Sequence, residues 1–440
     1  MLDVLFVVFY TLFPLIVFLM LRFLNLSFFK ITLPSMLILF MFIFAYVGIL
    51  PLYFGWMRTS GTFEEKQLYM VVLFCASWTI LGLLLGFSIS KSVGLHIRGF
   101  VLQPSPLKKR DVLGLLFLFF VSTIILCLYI NRVERVAMFT ALRDGIGEAK
   151  VARSEMTNAF SGKLHWYRLF FSTILSFISY AFWSNWLITK KKIFFLFFSL
   201  AFTASSFAAL MATQKAPFAF LMLGLYMTYI LTRKKGCISK KSIALLLILL
   251  IIILPFMYIF FMGKMDWLDG LNSAFNRAIT GQITPAAFYL EVFPHQIEFL
   301  LGQTFPNPGG IFPFVPFQSA RVLMDMKYPH LQNTGIIGSM PTAFWGEAYI
   351  NFGFWGVFFI PIIMGAWVWV LAKMIDKIPN TPTNIAINIS LILHFKDLAF
   401  GNFSRFVVDF YLLAFLSIVF CTIFMSRLLF KVNIKYFPQK

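Results

Sequence analysis

The chain is predicted to be an all-α polytopic membrane protein of about eleven transmembrane helices with one large external loop. Three observations lead there. Hydrophobic residues fill 60% of the 440 positions and charged residues only 12%, more apolar surface than a soluble domain could bury. The apolar residues come in runs of about 20, the length that crosses a bilayer as a helix, and not in the short alternating segments of a membrane barrel. The excess of basic residues, a net charge of +20, gathers on one side of the topology that those runs define.

In order, the runs are residues 2–21, 32–55, 68–89, 112–130, 166–188, 193–211, 216–232, 243–262, 352–372, 383–400 and 407–426. The first opens with Met-Leu-Asp-Val, without a basic leader or a small-residue cleavage site, and is expected to be retained as a span. Most of the others carry no charge. The tenth is interrupted by Asn384, Asn388, His394, Lys396 and Asp397, and Asn402, Ser404, Arg405 and Asp409 follow it. Charge at membrane depth faces protein or an aqueous cavity, so a broken helix is expected near 397–405; a structural pair, Lys396–Asp397 or Arg405–Asp409, is the plainer alternative.

Threading these spans puts Lys108-Lys109-Arg110, Lys190-Lys191-Lys192 and Arg233-Lys234-Lys235 on one side, whose only acids are Asp111 and Asp376. Positive charge marks the cytoplasmic side, so the N-terminus is expected outside and the C-terminus inside. The charge thereby reports topology, and no nucleic-acid partner is needed to explain it. Cys75, Cys127 and Cys421 fall in apolar runs and Cys237 in a loop, with neither a metal-ligand spacing nor a disulfide framework. No repeat relates the two halves, and the chain is treated as a single transmembrane domain over 1–440.

Two external segments stand out. Residues 131–168 hold the mixed-charge run Arg132, Glu134, Arg135, Arg143, Asp144, Glu148, Lys150, Arg153 and Glu155. Val133, Val136, Ala137, Phe139 and Leu142 recur there at helical intervals, which predicts an amphipathic helix on the membrane face. Residues 263–351 form the large loop and carry Lys264, Arg277, Glu291, His295, Arg321, His330 and Glu347. A short helix is expected at 271–280 and an apolar run at 285–301. Pro306, Pro308, Gly309, Gly310, Pro313 and Pro316 then exclude a regular helix. The interleaved Phe305, Phe312, Phe314 and Phe317 predict a loop folded onto the membrane surface, since a free linker would be more polar.

Within that loop the order Arg277, Gly281-Gln282, Phe293-Pro294 and Phe299-Leu300-x-Gly302-x-Thr304-Phe305-Pro306-Asn307-Pro308 resembles the bacterial oligosaccharide repeat-unit (Wzy-type) polymerases that build O-antigen. So does Gly338-Ser339-Met340-Pro341-Thr342-x-Phe344-x-Gly346-Glu347-x-Tyr349-x-Asn351-Phe352-Gly353-x-x-Gly356-Val357. The motif portion covers 277–357, and the span number and the late large loop agree with it. The resemblance implies an architecture like that of the GT-C membrane glycosyltransferases. It also implies a location in the bacterial inner membrane with the active site facing the periplasm. The implied reaction moves a growing glycan from a polyprenyl diphosphate carrier onto a new lipid-linked repeat unit, with inversion, no metal and no cofactor. Implied partners are the lipid-linked oligosaccharides, a chain-length regulator and a flippase. An O-antigen ligase is an alternative on the same architecture, and a lipid-linked oligosaccharide flippase or transporter is one from another class.

The residues can be weighed against that chemistry. A diphosphate leaving group gathers negative charge, which fixed cations stabilise, arginine best because its fork takes two phosphate oxygens. Arg277, Arg321, Arg405 and Lys215 are the candidates; Lys215 lies in a turn between two spans, at the depth of a lipid diphosphate. A group that takes the acceptor hydroxyl proton also helps. Glu347 is the first choice and, with Arg277, the expected catalytic pair; Glu291, His295 and His330 compete as bases, and Tyr349 is a substrate contact. The bland readings are snorkelling for Lys215, a surface ion pair for Arg277, and helix capping for Glu347.

Overall fold

The computed structural model describes residues 1–57, 65–97, 104–157, 160–244, 248, 251–252, 255–256, 259, 266–330 and 338–435. Their helices, in chain order, are α1 (Leu2–Phe23), α2 (Leu33–Met41), α3 (Ile49–Tyr53), α4 (Lys66–Ser92), α5 (Lys109–Arg132), α6 (Ala137–Arg143), α7 (Ile146–Met156), α8 (Leu164–Arg168) and α9 (Leu175–Thr189). There follow α10 (Lys192–Leu210), α11 (Lys215–Arg233), α12 (Trp267–Ile279), α13 (Thr284–Val292), α14 (Ser319–Lys327), α15 (Phe344–Asp376), α16 (Pro382–Phe395), α17 (Ser404–Val407) and α18 (Phe410–Lys435). Among the described residues eight helical stretches are long and apolar enough to cross a bilayer, and the protein is an all-α, multi-pass membrane protein.

Several expected spans are not plain long helices; residues 32–55 pass from α2 through a π-helical turn (Phe42–Tyr46) into α3. Residues 166–188 run from α8 through a π-helical turn (Leu169–Ile174) into α9. The α-helical part of 383–400 stops at Phe395, where a 3₁₀ turn (Lys396–Ala399) takes over, so the break expected near 397–405 is present. Residues 243–262, and Lys264 beyond them, lie mostly outside the described residues.

The centre of the bundle is a helix pair built on small residues. Lipid tails give apolar helices no hydrophobic reason to associate, so close packing must do it. Gly82 and Gly86 of α4 sit one turn apart and receive α15, whose Gly365 lies against the Leu83 carbonyl. Larger side chains lock the pair outside this notch: Trp78 stacks on Phe358 at 4.4 Å and its Nε1 donates to the Phe358 carbonyl.

Contacts between loops join segments that the charge pattern places on a common side. At one end the loop after α1 meets the loop after α11, with Ile31 N–H donating to the Gly236 carbonyl, and Ser105 N–H donates to Asn380. At the other end Met138 N–H donates to the Met211 carbonyl, joining 131–168 to the short α10–α11 turn. In each contact the two loops are ones that the charge pattern assigns to the same side.

The 131–168 segment departs from expectation. One amphipathic helix was predicted, but Gly145, at φ +91°, breaks the chain into α6 and α7, and Val133 and Val136 precede the helical residues. The segment folds on itself: Tyr129 Oη donates to the Met156 carbonyl at 2.6 Å, and Ala137, Ala152 and Met156 form a small core with Phe171 and Met211. In the large loop α12 covers the helix expected at 271–280, the apolar run is helical only to Val292, and the proline cluster forms no regular helix.

Candidate functional site

The site is held by a frame that joins the two sequence motifs. α15 turns sharply at Phe352-Gly353, where Gly353 adopts φ +60° and ψ −151°, a combination essentially confined to glycine. The turn diverts the carbonyls of Ile350 and Asn351 from helical partners four residues on. They accept instead from the N–H groups of Leu300 and Leu301 at 2.9 and 3.1 Å. The Asn351 side chain completes the join, accepting from Gly302 N–H at 2.9 Å and donating to Thr304 Oγ1 and the Glu347 carbonyl at 2.8 Å. The Asn351 side chain is fully buried, and both ends of its amide are satisfied. Gly353→Ala would force an alanine into that conformation, and we expect a loss of about 1–3 kcal/mol of stability, read as a lower melting temperature of the detergent-solubilised protein.

Beside this frame opens a cavity of about 1400 Å³. Its cations are Lys163 just before α8, Arg168 from the end of α8, Lys396 from the break after α16, and Arg405 from α17. Arg168 and Arg405 stand close enough to repel each other. The acids are Asp397, paired with Lys396, and Asp409. Asp409 caps α18, one oxygen accepting from Leu412 N–H at 2.8 Å; the other contacts His394 Nε2 at 2.5 Å. His394 lines the cavity as well, and Thr173 and Tyr411 share a hydroxyl hydrogen bond on its wall. Between these groups the wall is mostly apolar, with Phe220, Leu221, Leu393, Phe410, Leu413 and Ala414 interspersed with serines such as Ser176 and Ser390.

A second set of cations adjoins the cavity. Gln214 and Ala216 line it, and Lys215 between them lies in electrostatic range of Lys150, Arg153 and Arg277. Burial and the neighbouring Arg277 guanidinium both hold Arg153 below its ordinary pKa. The acids of α7 do not offset this charge, because Glu148 and Glu155 face the other way and pair with Arg135 at 3.3 and 3.0 Å. α7 thus presents Lys150 and Arg153, three residues apart, on the opposite side from two glutamates seven apart.

The candidates named from sequence are dispersed. Arg277 and Lys215 come together, and Arg405 reaches the cavity. Glu347 is buried at 2% exposure and does not line it; both its oxygens accept from Ser404, from the N–H at 2.9 Å and from Oγ at 2.7 Å. Tyr349 is buried and donates to the Phe293 carbonyl at 3.1 Å. Glu291, His295, Arg321 and His330 are exposed and lie outside the cavity lining. Sequence reasoning nominated neither Arg168 nor Asp409 nor the Lys150–Arg153 pair. The opposed acidic and basic spacing on α7 was the available signal; Arg168 offers no such signal, since its neighbours Trp166 and Tyr167 are residues that any membrane interface carries. Among the described residues no three His, Cys, Asp or Glu side chains converge as metal ligands would. No family model, curated protein or solved structure matches the chain.

Proposed function

We propose that the protein is a membrane glycosyltransferase that polymerises lipid-linked oligosaccharide repeat units at the periplasmic face of a bacterial inner membrane. The observation that carries this reading is the cavity, which sets guanidinium and ammonium groups against an apolar wall. A polyprenyl diphosphate has that character, an anionic head on an apolar chain. In the proposal Arg168 and Arg405 hold diphosphate oxygens of the donor, where their mutual repulsion is relieved by the anion between them. Phe220, Phe410 and Leu413 take the first prenyl units. The resemblance of segment 277–357 to the repeat-unit polymerases supports the choice of reaction.

The transfer is one displacement. The acceptor hydroxyl oxygen bonds to the donor's anomeric carbon as the bond from that carbon to the diphosphate oxygen breaks. The electron pair leaves with the lipid diphosphate, whose growing charge the arginines stabilise. His394, fixed through Nε2 by Asp409, is the group of this wall suited to take the hydroxyl proton, with the carboxylate orienting the ring. Lys215, Arg153 and Arg277 form a second anion-binding set at the edge, suited to the diphosphate of the acceptor.

Purified protein in proteoliposomes, supplied with a lipid-linked repeat unit, is expected to convert it to a ladder of longer chains. Transport of the unit across the bilayer without extension would overturn the proposal in favour of a flippase. Transfer only to an added lipid A core acceptor would identify a ligase.

A further inference from the structure

Glu347 is the most deeply buried carboxylate of the loop motifs, and its position is informative. It sits in the first turns of α15, and its two oxygens accept both donors of a single residue, Ser404. Ser404 is itself 1% exposed and begins α17, so the next residue along the chain is Arg405. The connection continues into the large loop, because the Thr304 carbonyl lies 3.3 Å from Ser404 Oγ and Thr304 Oγ1 accepts from Asn351. Phe403, before Ser404, packs edge-on against Phe305 with ring centres 5.5 Å apart. One buried carboxylate therefore fastens α17 to α15 and to the loop that carries Pro306 and Pro308 to the cavity.

The reason for such a fastening lies one residue away. Arg405 faces the cavity within range of Arg168, and the two guanidiniums repel. α17 is a single turn of four residues, too short to hold its place by its own hydrogen bonds. Without an outside anchor the repulsion would turn Arg405 away from the cavity. The Ser404 N–H and Oγ supply the anchor points, and a carboxylate is the acceptor that can take both strongly.

We propose that Glu347 is a positioning residue, which acts through Ser404 to hold Arg405 on the cavity wall facing Arg168. The inference rests on the proposed binding of a polyprenyl diphosphate in that cavity. It assigns the carboxylate a part in substrate affinity and none in proton transfer.

A double-mutant cycle tests it, using the full chain in nanodiscs and a glycan-free polyprenyl diphosphate as the probe. Glu347→Gln keeps one acceptor and Ser404→Ala removes only the hydroxyl; each is expected to weaken binding about tenfold. In an Arg405→Ala background both substitutions should have no further effect, since the residue they position is gone. In an Arg168→Ala background each should cost clearly less than tenfold, because the repulsion that displaces an unanchored Arg405 is gone. Losses that stay the same with and without Arg405 would overturn the positioning role. So would a Glu347→Gln protein that binds the probe normally and has lost only turnover, the signature of a base. Should Glu347→Gln fail to fold, Ser404→Ala alone carries the comparison. Wild-type protein that binds no polyprenyl diphosphate would instead sink the reading of the cavity, and this inference with it.

Discussion

Arg405→Ala is expected to lower the rate of chain extension about 10²–10³-fold, the usual loss when one preorganised charge is removed from a developing anion. The side chain is exposed to the cavity, so truncation removes a guanidinium and leaves no hole in the packing. The protein should therefore remain folded and in the membrane, with unextended repeat units accumulating on their carrier. Arg405→Lys should recover only part of the loss, because an ammonium is a point charge and cannot hold two diphosphate oxygens in one plane. Single-turnover extension in proteoliposomes gives the measurement. An unchanged ladder in the alanine variant would place the diphosphate elsewhere, with the Lys215, Arg153 and Arg277 set as the next place to look.

The contrast between Arg405 and Glu347 shows what could be read from sequence and what could not. Loop pairing was legible because each loop carries its own charge signal: Ile31 meets Gly236 and Ser105 meets Asn380, all in loops that the lysines and arginines assign to one side. The polar interruption at His394, Lys396 and Asp397 was legible for a similar reason, since charge inside an apolar run has few bland explanations. The motifs of 277–357 marked the right neighbourhood, yet they mixed two kinds of residue. Gly302, Thr304, Glu347, Asn351 and Gly353 build the frame, and burial alone distinguishes them from groups that meet a ligand. Burial is a tertiary property: nothing in the spelling of Gly346-Glu347 says that Ser404 lies against it. The same limit hid Arg168. Its partners, Arg405 and Tyr411, are far along the chain, and its own neighbours are aromatics that any membrane interface would carry.

Gly86→Val should prevent the protein from reaching its folded state. A Cβ at Gly86 would stand 2.2 Å from the Ile362 carbonyl oxygen and 2.6 Å from the Ala366 nitrogen, both backbone atoms of α15. Side chains can rotate away from a clash, but a helix backbone cannot, so α4 and α15 must move apart. Gly82 and Gly365 approach as closely, since an added Cβ would stand 2.7 Å from Pro361 Cβ and 2.3 Å from the Leu83 carbonyl oxygen, so the separation would spread along the interface. The cost should exceed the roughly 1–3 kcal/mol of ordinary overpacking, because the contact surface is lost along with the clash. Gly147→Ala in α7 is the matching control: nothing lies within 4 Å of its added Cβ, and an alanine in a helix stabilises by restricting the unfolded chain. The two variants should therefore diverge in monodisperse yield and in melting temperature after detergent extraction. Equal behaviour would mean that the α4–α15 notch does not hold the bundle together. Divergence would also bear on the cavity, because α15 carries the carboxylate and the asparagine that fasten the loop and α17 beside it.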